Sequence, residues 1–150
     1  MVLVKIRDAT NTDAVALARI YNEGIEDRTA TLETVLRTPE ERIQWLGQRT
    51  PRHPVLVAVD GNEVVGWGSL NRFNPRPAYD HVADLSIYVR RERRSAGIGT
   101  ALLAALEERA RRLGYHKLVL AALPHNPAGM RLYQRCAFRL VGVYHEQGVL

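Results

Sequence analysis

Between residues 82 and 114 a strand, a glycine-punctuated turn and a helix follow one another without a spacer, as VADLSIYV, RRERRSAGIG and TALLAALEERARRLG. The helix gathers Leu102, Leu103, Leu106, Ala110 and Leu113 on one face and stops at Gly114. An apolar strand running straight into a one-sided helix must bury both in a shared core, which confines the chain to layered α/β architectures. Gly97 and Gly99 remove Cβ atoms where the chain enters the helix, so successive N–H groups can converge on an anion at the positive helix end. A plain helix start with flexible punctuation would look the same. Two familiar phosphate cradles are excluded: the P-loop needs G-x-x-x-x-G-K-S/T and no lysine occurs here, and a dinucleotide fingerprint wants Gly or Ala at the position of Leu102.

The flanking sequence extends the alternation of strands and helices. VLVKIRDA reads as a strand, TNTDAVALARIYNEGI as a helix, and TPEERIQWLGQR as a second helix opened by Thr38, Pro39, Glu40 and Glu41. PVLVAVDGNEVVGWGSL is a hairpin around Asp60, Gly61 and Asn62; HKLVLAAL is a buried strand, NPAGMRLYQRCAF a helix and FRLVGVYHE a final strand. The expected order is β-α-α-β-β-β-α-β-α-β in one domain over residues 1–150, without repeats or linkers. A chain of 150 residues, 46% of them hydrophobic, supports such a core, burying about 70% of its unfolded surface.

Four arginines, Arg90, Arg91, Arg93 and Arg94, precede the glycines, and the formal charge is +5. This favours an anionic partner. Nucleic acid is disfavoured, because aromatic residues make up only 7% of the chain and Tyr88 alone stands beside the cluster. The single cysteine, Cys136, excludes an internal disulfide, no ligand spacing indicates a metal, and the N-terminus is too briefly apolar for a signal peptide or a membrane span. A reducing cytoplasm is the expected location.

Arg94-Ser95-Ala96-Gly97-Ile98-Gly99 resembles the Q/R-x-x-G-x-G/A coenzyme A motif of the GCN5-related N-acetyltransferases (GNAT). NPAGMRLYQRCAF resembles that family's second motif, N-x-x-A-x-x-L-Y-x-x-x-G-F, with Gly129 and Ala137 departing from it. TATLET, NPRPAYDHVADLSIYV and LPHNPAG are most similar to the phosphinothricin and methionine sulfone or sulfoximine N-acetyltransferase branch. The resemblance runs over essentially the whole chain. It implies the GNAT acyl-CoA N-acyltransferase fold, a central mixed and mostly antiparallel sheet flanked by helices. It also implies acetyl-CoA as cosubstrate, no metal, and a homodimer. Relatives continue past the equivalent of Leu150 with a glycine-tryptophan turn and a last strand, so the final strand is expected to be missing here and FRLVGVYHE to present an unprotected edge unless something pairs with it.

The resemblance assigns residues as well. Arg94, Ser95, Ala96, Gly97, Ile98, Gly99 and Thr100 would hold the cofactor's diphosphate, and the backbone of Ile87, Tyr88 and Val89 would meet its thioester end. Asn126 would bind the pantetheine arm while capping its helix. Tyr133 would protonate the leaving thiolate, unless it only packs with Leu132 and Phe138. Asp84 stands where the branch often carries a catalytic Glu, and strand alternation places it with Ser86 and Tyr88, opposite Leu85, Ile87 and Val89. An aspartate near pKa 3.9 is about four units below an α-amine, so direct abstraction is uphill by roughly 5.5 kcal/mol, and orienting a water or the ammonium suits it better. Arg76 and Tyr79, in the irregular stretch from Asn71 to Asp80, are the candidates for binding the acceptor, since a guanidinium can grip a carboxylate or phosphinate through two bonds. The expected activity is acetyl transfer, by direct attack in a ternary complex, to the amino group of a small amino-acid-like compound. Acetylation of a protein N-terminus or lysine, and acyl-CoA sensing without turnover, stay open.

Overall fold

The computed structural model describes residues 3–148. Its regular elements are β1 (Lys5–Asp8), α1 (Ala14–Asp27), α2 (Pro39–Gly47), β2 (Val55–Asp60), β3 (Glu63–Arg72), β4 (Val82–Val89), α3 (Ile98–Arg112), β5 (Lys117–Val119) and α4 (Pro127–Arg135). Local chemistry fixes several boundaries. At the start of α2 the Glu41 amide donates to Thr38 Oγ1 (3.1 Å) and the Thr38 amide donates to the Glu41 carboxylate (3.3 Å), with Pro39 at the first helical position. A two-residue loop joins β2 to β3, with Gly61 at φ 62°.

One sheet runs in the order β1-β2-β3-β4-β5, antiparallel throughout except for the parallel pair β4·β5. Alternation along the strands sends Leu56, Ala58, Leu70, Ala83 and Leu85 toward α3, where they meet Ile98, Leu102, Leu103, Leu106 and Ala110. Val55, Val57 and Trp67 face the other way, onto Leu17, Ile20, Tyr21 and Ile25 of α1. Trp67 Nε1 also donates to the Leu17 carbonyl at 3.2 Å, so the large indole satisfies its own polar atom inside the core. The mixed, mostly antiparallel sheet flanked by helices agrees with expectation.

The two ends of the last third do not. HKLVLAAL forms only the three-residue β5, because its ladder with β4 stops at the pair Asp84 and Val119 and the two strands then part. FRLVGVYHE forms no strand. A strand requires a neighbour for its N–H and C=O groups, and beyond Val119 the sheet offers none among the described residues; Leu140, Val141, Val143 and Tyr144 are left between 64% and 84% exposed.

Ala137 follows the last turn of α4 in the left-handed region, at φ 66°, with its amide on the Gln134 carbonyl and the Phe138 amide on the Tyr133 carbonyl. That is a helix C-terminus built for glycine. Ala137→Gly should therefore raise stability by about 0.5–1 kcal/mol, the strain relieved exceeding the added freedom of the unfolded chain. A shift of the urea midpoint to higher concentration at unchanged slope would show it.

Candidate active site

The head of α3 is an open cluster of donors. Ser95 lies at φ 62° and Gly97 at φ 88°, and the first bond along the helix runs from the Ala101 amide to the Gly97 carbonyl at 3.2 Å. The amides of Ile98, Gly99 and Thr100 precede that bond, and Gly97 has no side chain with which to cap them. Such amides, added to the helix dipole, fit a diphosphate. Gly97 is required by its φ. Gly99 has a second role besides its free amide: a Cβ there would stand 2.8 Å from Leu132 Cδ2, so its absence lets α4 seat on α3.

All four arginines before the glycines are engaged with carboxylates of the chain. Arg91 holds Asp27 at 2.9 and 3.0 Å, Arg94 holds the same Asp27 at 2.7 Å, and Arg93 holds Asp60 at 2.8 Å. Arg90 pairs with Glu63 and, at 3.2 Å, with Glu92. The guanidinium of Arg91, then that of Arg94, keeps the Asp27 carboxyl below its ordinary range. The cluster thus fastens the exit of β4 to α1 and to the β2–β3 turn.

Where β4 and β5 part, Ile87, Tyr88 and Val89 have β3 on one side and no strand on the other. The Tyr88 ring turns onto the α1 face, 4.8 Å from Trp67 and 5.0 Å from Tyr21 between ring centroids, and burial pushes its hydroxyl up to about 12. Across the gap, Asn126 caps α4 by accepting from the Gly129 amide at 3.1 Å, which leaves its amide nitrogen as a donor. A Cβ at position 129 would stand 2.6 Å from that nitrogen, which accounts for glycine there. Tyr133 is half-buried on α4, edge-on to Phe138 with centroids 6.0 Å apart, and burial raises its phenol.

A cavity of about 400 Å³ lies on the opposite face of the sheet from α3. Trp67, Ser69 and Asn71 of β3 and Ser86 and Tyr88 of β4 form its floor; α1, α2 and their connection supply Tyr21, Glu33, Arg37, Glu41, Arg42 and Trp45. The register sets Ser69 beside Ser86 and Asn71 beside Asp84, and Asn71 Nδ2 donates to Ser86 Oγ at 3.2 Å. Asp84 is one side-chain repeat beyond Ser86 on the same face. Burial pushes its carboxyl up, while the Leu85 amide pulls it down by less. Ser86 and Tyr88 line the cavity, while Asp84, on the same face of β4, is not among the residues that line it. Arg76 is exposed, and Tyr79, in a short 3-10 turn, packs on Phe73 with centroids 5.6 Å apart; neither lines the cavity.

A solved structure supplies the outside comparison. The ribosomal-protein-alanine N-acetyltransferase from Brucella melitensis superposes with a TM-score of 0.92 and 37% identity, over 97% of this chain and 90% of that one. The family model of the acetyltransferase (GNAT) family matches residues 9–138. The chain belongs to the GNAT acetyltransferase family. As a GNAT protein it is an acetyl-CoA-dependent N-acetyltransferase, and the uncapped head of α3 with the free side of β4 fits that cosubstrate. An L-methionine sulfoximine/L-methionine sulfone acetyltransferase of Pseudomonas aeruginosa is 34% identical over 145 residues, 95% of this chain and 84% of the relative. The acetyl-CoA complex of a GNAT phosphinothricin acetyltransferase from Sinorhizobium meliloti gives a TM-score of 0.92 at 29% identity, over 98% of this chain and 80% of that one. No helix among the described residues is long and apolar enough to cross a membrane, and no group of three or more His, Cys, Asp or Glu among them could hold a metal ion.

Arg42, Trp45, Trp67 and Ser69 line the cavity, and the sequence singled out none of them as a site residue. The one available cue was Arg42 and Trp45 at i and i+3, an arginine on the face of a short helix that also carries its only aromatic residue.

Proposed function

We propose that this GNAT protein acetylates the α-amino group of a small amino-acid-like compound. The observation that carries this reading is the adjacency of two features on β4: an open backbone side that leads to the α3 amides, and a polar side that floors a cavity of small-ligand size. Acetyl-CoA supplies an activated thioester carbonyl. The first-turn amides of α3 hold its diphosphate, Asn126 donates to its arm, and the free groups of Ile87 to Val89 orient its reactive end. Asp84, directly or through a water, takes the proton from the acceptor's ammonium; its raised pKa narrows the four-unit gap to an α-amine. Tyr133 returns a proton to the departing sulfur. The exposed loop of Arg76 and Tyr79 borders the Asp84 end of the β3–β4 hairpin and is assigned to closing over the acceptor. A homodimer and a cytoplasmic location belong to the same proposal on the strength of the family resemblance.

The Brucella melitensis neighbour is a ribosomal-protein-alanine N-acetyltransferase, and the α-amine of a chain that begins with alanine is the alternative acceptor. Thiol release from acetyl-CoA separates the readings. Free amino acids, methionine sulfone and phosphinothricin should each be compared with an alanine-initiated peptide. Release with the free compounds is expected; release with the peptide alone would establish the protein-directed reading, and release with none would leave an acyl-CoA sensor.

A further inference from the structure

On the small-amine reading above, we propose that Arg42 is the receptor for the acceptor's anionic group, a carboxylate or phosphinate. Its guanidinium carbon lies 4.4 Å from the Tyr21 ring centroid, 4.8 Å from that of Trp45 and 5.2 Å from that of Trp67. Only 7% of the residue is exposed. Within this aromatic cage the guanidinium has no hydrogen bond and no ion pair among the described residues, and its Nε has no partner. A buried charge without a counter-charge is among the least favourable arrangements in a protein interior. Burial pulls its pKa below the ordinary guanidinium value, yet an arginine stays charged.

Arg49 is the internal control. It is half-buried, 4.4 Å over the Trp45 ring, and it donates to the carbonyls of His53 (3.0 Å) and Leu70 (2.6 Å) and to Asn71 Oδ1 (2.9 Å). A purely structural arginine at this sheet face is therefore satisfied, and Arg42 is not. The two carboxylates nearest in the cavity, Glu33 and Glu41, are both taken by Arg37, at 2.7 and 3.2 Å. Ser69 Oγ, 1% exposed on the floor of the same cavity, also has no partner. Two orphaned polar groups, one a cation and one a hydroxyl, thus line a single cavity, and an oxyanion can satisfy both. An acceptor gripped there lies over Ser86 and Tyr88, with its amine toward β4. Arg42, not the exposed Arg76, supplies the guanidinium inside the cavity.

Trp45 and Trp67 provide the readout, since both rings touch the guanidinium. With coenzyme A present, L-methionine sulfone and its primary carboxamide are titrated against wild type, Arg42→Met and Arg42→Lys by tryptophan fluorescence. Wild type should prefer the acid by about 100-fold, the worth of a charge-assisted hydrogen-bonded pair in a desolvated site. The preference should fall to about threefold or less in Arg42→Met and to an intermediate value in Arg42→Lys, which keeps the charge and loses the fork. Arg42→Met should melt no lower than wild type, because an apolar side chain replaces an unpaired charge. A preference that survives in Arg42→Met, or a wild type that binds neither compound or both equally, overturns the assignment. Thiol release with none of the acids, while the preference holds, would instead overturn the small-amine acceptor reading and leave the anion site standing.

Discussion

Asp84→Asn should lower kcat/KM toward an α-amino acceptor by roughly 10²–10³-fold while leaving acetyl-CoA affinity unchanged, the range expected for loss of a positioned general base. Asn keeps the size and an oxygen beside the Leu85 amide but takes up no proton. The carboxylate stands on the cavity face of β4, half-buried, with burial raising its pKa. Two pH consequences follow. Wild-type kcat/KM should rise with pH as first this carboxyl and then the amine lose protons, and the earlier rise should vanish in the variant. For stability the sign is opposite: a carboxyl whose folded pKa exceeds its unfolded value of about 3.9 favours the fold below that value and loses this contribution as pH climbs through the folded pKa. At neutral pH the buried charge is therefore a cost, and Asp84→Asn should be at least as stable as wild type. Initial rates across pH, isothermal titration of acetyl-CoA and urea denaturation test these three statements. An unchanged rate would remove Asp84 from the chemistry.

Tyr133→Phe should cost about 10–100-fold in kcat with little change in the KM for acetyl-CoA, an effect below the usual general-acid range. Burial makes this phenol a weaker acid than tyrosine in water. Its transfer to a thiolate is therefore modestly uphill, and that limits how much the hydroxyl can contribute. The phenol has no hydrogen-bond partner among the described residues, whereas its ring keeps the edge contact with Phe138. Removing the oxygen should therefore leave the melting temperature nearly unchanged, which separates a proton donor from a packing residue. Equal turnover by the two proteins would leave Tyr133 with the packing role alone.

What the sequence disclosed depended on whether the cause was local. Thr38, Pro39 and Glu41 announce α2 because the cap is written in four consecutive residues. Gly97 was legible for the same reason, since its left-handed φ belongs to the turn itself. FRLVGVYHE misleads because β-prone residues become a strand only beside another strand, and the parting of β4 from β5 removes that partner. Gly99 also makes room for Leu132, a contact set by the docking of α4 that no window around residue 99 contains. Arg42 stands between Glu41 and Ile43 with nothing local to mark it; only the packing of α2 across α1 and β3 encloses it among Tyr21, Trp45 and Trp67. Asp84, Ser86 and Tyr88 share a face as alternation requires, but the cavity that Ser86 and Tyr88 floor needed β3 in register.

The gap between β4 and β5 divides the molecule into two tiers of rigidity. Up to Val119 the backbone is cross-linked by ladders on a core with fully enclosed side chains. Beyond it α4, which has no fully enclosed residue, is held by side chains such as Leu132 against Gly99. That outer tier can loosen at little cost to the inner one. On the proposed acetyl-CoA site, the long thioester arm would enter and its spent thiol leave along this lightly packed seam, while the amide cradle on α3 belongs to the inner tier.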